Sequence, residues 1–125
     1  MKESILSIAK WHEETFPDTD LKGQIEKWFE EKNEWQASLK PARHGDISEL
    51  ADMYIVACGL TRFNSMEAMF CFMRICDELC HSGHSTQELE HAIDTKMERN
   101  RARAWKKQDN GTYHHIADIS KKVKS

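Results

Sequence analysis

LKGQIEKWFEEKNEWQASL, residues 21–39, and ISELADMYIVACGLTR, residues 47–62, decide the architecture. In the first stretch Leu21, Ile25, Trp28, Phe29, Trp35 and Leu39 recur at helical spacing and form a broad apolar stripe. The second is apolar on nearly every side, from Ile47 and Leu50 through Met53, Ile55 and Val56 to Leu60. A helix of that kind is expected to be enclosed by others. The connection between them is short, which makes them antiparallel neighbours. The expected fold class is therefore all-α, an antiparallel helical bundle.

The same two stretches carry carboxylates in a pattern that a plain bundle does not need. Glu31 and Glu34 are three apart, as are Glu49 and Asp52. At that spacing each pair lies within about 60° on one helix face. Packed together, the helices can aim all of these groups at one small volume, where like charges repel and burial penalises ionisation. A hard divalent cation relieves both costs. A structural use competes for Glu49: with Asp46 as N-cap it stands where a capping box is completed. Asp52 has no such use.

Together these residues resemble the MazG-like all-α nucleoside triphosphate pyrophosphatases, a group that also contains the dimeric all-α dUTPases. The group's motif is EExxE, a linker of variable length, then ExxD. Here it corresponds to Glu30-Glu31-Lys32-Asn33-Glu34 followed by Glu49-Leu50-Ala51-Asp52, within a likeness spanning roughly residues 20–108. The resemblance implies Mg²⁺ ligation by Glu31, Glu34, Glu49 and Asp52. It implies substrate binding by a later face of Lys96, Asn100 and Arg103, and cleavage of a (deoxy)nucleoside triphosphate to monophosphate and pyrophosphate. Hard oxygen ligands favour Mg²⁺, with Mn²⁺ as a substitute, over zinc. Glu34 and Glu49 are the catalytic candidates, because a ligand carboxylate's second oxygen can hold the attacking water. Glu30 is rotated outward from the metal pair. A dUTPase-like hydrolase is the alternative within the group, and a non-enzymatic helical adaptor is the alternative outside it.

A later helix is expected from Thr86 to about Lys107, opened by a capping box of Ser85 and Glu88. On it Lys96, Asn100 and Arg103 fall on one face, where a cation, an amide and a guanidinium can hold successive phosphate oxygens. Arg99, Arg101, Lys106 and Lys107 make the whole region basic, so a solvated charged face competes with that reading. On a continuous helix Trp105 points elsewhere. Selection against a 2′-hydroxyl needs a close apolar wall, for which Trp28, Trp35 and Phe16 are candidates and for which core packing is the alternative. Trp11 and His12 carry the same ambiguity.

The remaining segments are read more simply. A first helix covers Lys2–Glu14 with Ser4 as cap, and Asn64 opens another whose Met66, Met69, Phe70 and Met73 recur at helical spacing. That face serves as core, pocket wall or subunit contact. Asp77 is a candidate outer carboxylate for the metal site. Cys76, Cys80, His81 and His84 lack the usual knuckle spacing for zinc, and Gly83 is expected to end the helix in a left-handed cap. Arg43 in the linker is either a phosphate contact or a solvated loop residue. Asp109-Asn110-Gly111 reads as a turn.

At 125 residues one domain is expected, set at 1–110 and followed by a tail at 111–125. Tyr113, His114 and His115 are then either mobile or supplied to a neighbouring subunit's site. Four tryptophans and an all-round apolar helix are rich for a lone small bundle, which points to a homodimer or homotetramer. A net charge of −3, from 18 basic and 21 acidic side chains, gives no general attraction for a nucleic acid polymer. Apolar runs are too short to span a membrane and the start lacks a signal-peptide pattern, so a cytoplasmic protein with reduced cysteines is expected.

Overall fold

A computed structural model describes residues 1–39, 44–109 and 112–115. In chain order it contains α1 (Ile5–Thr15), α2 (Leu21–Ser38), α3 (Ile47–Leu60), α4 (Ser65–Ser82), α5 (Thr86–Ala102), β1 (Trp105–Lys107) and β2 (Tyr113–His115). The five helices pack as a bundle, and the strands form a small hairpin. As its composition demands, α3 is enclosed: Leu50, Ala51, Met53, Ala57 and Cys58 have no exposed surface. It packs against α1, α2, α4 and α5, most extensively against α2. No helix among the described residues is long and apolar enough to cross a membrane.

Helix boundaries follow the caps. Ser4 and Ser7 form a reciprocal box at α1, and Ser85 and Glu88 form one at α5. Asp20 and Asn64 accept from backbone amides at the starts of α2 and α4, while Gly83, at φ 81°, ends α4 in the left-handed region. One expected box is absent. The Asp46 side chain caps α3 by accepting from Ser48, and the Glu49 carboxylate takes no part. The structural use that competed for Glu49 is thereby removed.

The end of the chain departs from expectation. Helix α5 stops at Ala102, and Arg103 has extended backbone (φ −88°, ψ 154°). Trp105–Lys107 then pairs antiparallel with Tyr113–His115, Trp105 opposite His115 and Lys107 opposite Tyr113. Tyr113–His115, within the segment expected to be a tail, thus pairs with the strand that follows α5. Ring packing accounts for the turn away from the helix: Trp105 meets Trp11 and Phe16 edge-on at 6.2 and 5.3 Å between centroids, and Tyr113 lies 4.5 Å from Phe16. Two further corrections concern α4. Met66, Met69, Phe70 and Met73 are roughly half exposed rather than core, and Asp77 faces solvent beside His81, away from the acidic residues.

The start of α3 is fixed by contacts across the bundle. The His84 ring reaches the Gly45 carbonyl through Nε2 (3.1 Å) and Glu88 through Nδ1 (2.9 Å), and it packs against the His44 ring at 3.9 Å between centroids. Lys40–Arg43, including the proposed contact at Arg43, lie outside the described residues. Gly45 adopts φ +75°, and a Cβ there would stand 2.6 Å from Cζ3 of the fully buried Trp35. Gly45→Ala is therefore expected to destabilise the fold by roughly 1–3 kcal/mol, from left-handed strain and overpacking together. Urea unfolding measures this, and an unchanged midpoint would contradict it.

Candidate metal centre and adjoining cavity

Helices α2 and α3 bring Glu31, Glu34, Glu49 and Asp52 together, with one oxygen from each lying within 4.8 Å of the others. Glu31 is buried, Glu49 and Asp52 are half-buried and Glu34 is exposed. Among the described residues no other cluster of histidine, cysteine and carboxylate has such geometry, and Cys76, Cys80, His81 and His84 are not brought together in this way.

The electrostatics show the cost of this gathering. Burial first, then the nearby Glu34 charge, pushes the Glu31 carboxyl up to about 7 against the pull of Lys27. Burial, followed by repulsion from Glu31, raises Asp52 to about 6 despite Lys96. Glu34 is raised by burial and by its contact with Glu49, and Glu49 by burial and by the charge of Asp52. Two lysines offset part of the charge: Lys27 Nζ lies 3.2 Å from Glu31 Oε1, and Lys96 Nζ 3.2 Å from Asp52 Oδ2. Burial alone would lower the Lys27 ammonium, but Glu31, Glu30 and Glu34 outweigh it and hold it raised.

The residues fit a divalent cation on independent grounds. Glu31 Oε2 and Glu49 Oε2 are both buried without a hydrogen-bond partner, an arrangement that costs energy unless something else binds them. Four hard carboxylate donors suit Mg²⁺ or Mn²⁺.

Beside the carboxylates opens a cavity of about 510 Å³. Lys96, Asn100 and Arg103 all line it, although Arg103 does so from beyond the helix rather than from its face. Lys27, Gln24 and Gly23 continue its wall along α2. Gln24 stands two turns, about 10 Å, from Glu31 on the same helix face. Past Gln24 the lining turns aromatic, with Trp11, His12, Phe16, Trp105 and Tyr113. These rings are supplied by α1, the segment after it and the hairpin of the same chain. Trp28 and Trp35 do not contribute; both are buried in the core.

No protein family, curated protein or solved structure matches the chain. The site therefore rests on its own geometry.

Several lining residues escaped the sequence reading. Lys27 and Gln24 were legible in principle, since 24, 27, 31 and 34 share one face of α2. Tyr113 and His114, read as mobile or as supplied to a neighbouring subunit's site, instead line the cavity of their own chain, with His114 Nε2 3.5 Å from Glu30 Oε2, because a hairpin that the sequence did not foretell carries them there.

The raised carboxyls define a pH test. Ordinary values are 4.5 for Glu31 and 3.8 for Asp52, against about 7 and about 6 in the fold. Between those limits the folded chain retains protons that the unfolded chain has released, so rising pH withdraws stability across the window. Without divalent ions, Glu31→Gln should gain stability over wild type as pH climbs through it, on the order of 1–3 kcal/mol by neutral pH. The Mg²⁺-induced rise in Tm should be small near pH 5, full near pH 8 and lost in Glu31→Gln. A Mg²⁺ effect that ignored pH, or survived in that variant, would refute the shared site.

Proposed function

We propose that the chain is a Mg²⁺-dependent nucleoside triphosphate pyrophosphohydrolase, an antiparallel helical bundle of the MazG-like kind. One observation carries the reading: four convergent carboxylates, the cations Lys27, Lys96 and Arg103, and a ring-lined recess share a single cavity. The rings offer a stacking surface for a base. About 10 Å along α2 from Gln24, the reach of a nucleoside, the carboxylates meet the phosphates.

Glu31, Glu34, Glu49 and Asp52 would hold the ion. The ion supplies positive charge to the phosphate oxygens and acidifies nearby water. Once the carboxylates are engaged, Lys27 and Lys96 are released to turn toward the triphosphate. Arg103 binds phosphate oxygens as a fork, and the Asn100 amide donates to a neighbouring oxygen. The oxygen of a water attacks the α-phosphorus, and the bond from that atom to the α–β bridging oxygen breaks. Its electron pair leaves with pyrophosphate, and the water proton passes to Glu34 or Glu49. The second oxygen of a ligand carboxylate is placed to hold that water.

The half-exposed methionine and phenylalanine face of α4 supports assembly with further copies of the chain. Light scattering is expected to return a dimer or tetramer, and a monomer would leave that face unaccounted for. Pyrophosphate release from a panel of deoxy-, ribo- and modified nucleoside triphosphates should require Mg²⁺ or Mn²⁺ and vanish in Asp52→Ala. Lys96→Ala and Arg103→Ala should lower turnover about 10–100-fold while the Mg²⁺-induced Tm shift persists. An inactive wild type across the panel would leave a metal-binding helical adaptor.

A further inference from the structure

A chain of buried polar groups runs behind the aromatic end of the cavity. Arg62 Nη1 lies 2.8 Å from His12 Nδ1, His12 Nε2 lies 2.8 Å from Gln24 Oε1, and Gln24 Nε2 donates to the Val56 carbonyl at 2.9 Å. Both His12 and Gln24 are buried, at 5% and 3% exposure, and both line the cavity. Arg62 does not line it.

The direction of every bond in this chain is set from both ends, by the Arg62 guanidinium and by the Val56 carbonyl, which can only accept. A guanidinium can only donate, so His12 Nδ1 must present its lone pair, and the ring proton must sit on Nε2. That proton needs an acceptor, which orients the Gln24 amide with Oε1 toward His12 and Nε2 toward Val56. An amide flipped the other way would set donor against donor at His12 and acceptor against acceptor at Val56. One lone pair on Oε1 and one hydrogen on Nε2 then remain for a ligand. Burial, then the charge of Arg62, holds the His12 ring at about 4, so it stays neutral and the chain does not reverse near neutral pH.

The surroundings are built around this arrangement. A Cβ at Gly59 would lie 2.5 Å from Gln24 Nε2 and 2.8 Å from His12 Cδ2, so the absence of a side chain on α3 leaves room for it. Arg62 Nη1 also donates to the Phe16 carbonyl at 3.1 Å, tying down the segment that places the Phe16 ring.

We propose that Arg62 is a positioning residue for nucleotide selection: through His12, and with the Val56 carbonyl at the far end, it holds the hydrogen-bond face that Gln24 offers to the base. This rests on the nucleotide reading above. The ligand it selects is a heterocycle with an adjacent donor and acceptor on one edge, and a base methylated on that edge is rejected.

The test uses the full chain. Long-range ¹H–¹⁵N spectra of wild type should show His12 neutral with its proton on Nε2 at about pH 7; the other tautomer, or a charged ring, overturns the proposal. Turnover is then compared for thymidine triphosphate and its N3-methyl derivative. In Arg62→Gln, whose amide can accept as well as donate, wild-type preference should fall on the order of tenfold, mainly through KM rather than kcat. Arg62→Lys, again a pure donor, should recover it. An unchanged preference in Arg62→Gln, with wild type active, defeats the positioning role alone. A wild type inactive toward every triphosphate defeats the functional reading and this inference with it. If neither variant folds, the His12 tautomer in wild type decides.

Discussion

Repulsion among Glu31, Glu34, Glu49 and Asp52 is the interaction to which the rest of the structure is fitted. Two of these groups enter on α3, the helix with the least access to water, and two on its most extensive neighbour. Nothing in the packing of an apolar helix calls for charge there, and burial is the first cause of every raised carboxyl in the cluster. Lys27 and Lys96 offset part of it, yet two buried oxygens stay without partners. A site left in that condition is held by the surrounding apolar packing, and a bound cation would recover its energy.

Three helices express the site through the same repeat. On α2 the series Gln24, Lys27, Glu31 and Glu34 advances about one turn at a time, and on α3 Glu49, Asp52, Val56 and Gly59 run similarly. Helix α5 adds Lys96 and Asn100. A helical rise of about 1.5 Å per residue thus sets the distance between a charged end and a stacking end.

Much of this was legible because it is local. Caps at Ser4, Asn64 and Ser85, the left-handed Gly83 and the carboxylate spacing are all written within a few residues of where they act. What was hidden depends on distant partners. Residues 103–107 have the composition of a helix end, whereas Trp105 sits in a strand packed against the rings of Trp11 and Phe16. The capping use of Glu49 was plausible from spacing, but Asp46 turns to Ser48 and the carboxylate is taken by its neighbours across the helix pair. Period alone could not say that the methionines of α4 face outward, since helical spacing identifies a face and not what covers it.

The two ends of the cavity differ in how far along the chain their walls must be fetched. The acidic end comes from α2 and α3, which follow one another directly, so contacts of short sequence separation can form it early in folding. The ring-lined end must bring β1 and β2 back to α1 and Phe16 across most of the chain, closing a long loop with two short strands. Local opening of the hairpin would therefore uncover the ring-lined recess while leaving the carboxylates in place. One end of the cavity is thus closed by neighbouring helices, and the other by elements brought together from opposite parts of the described chain.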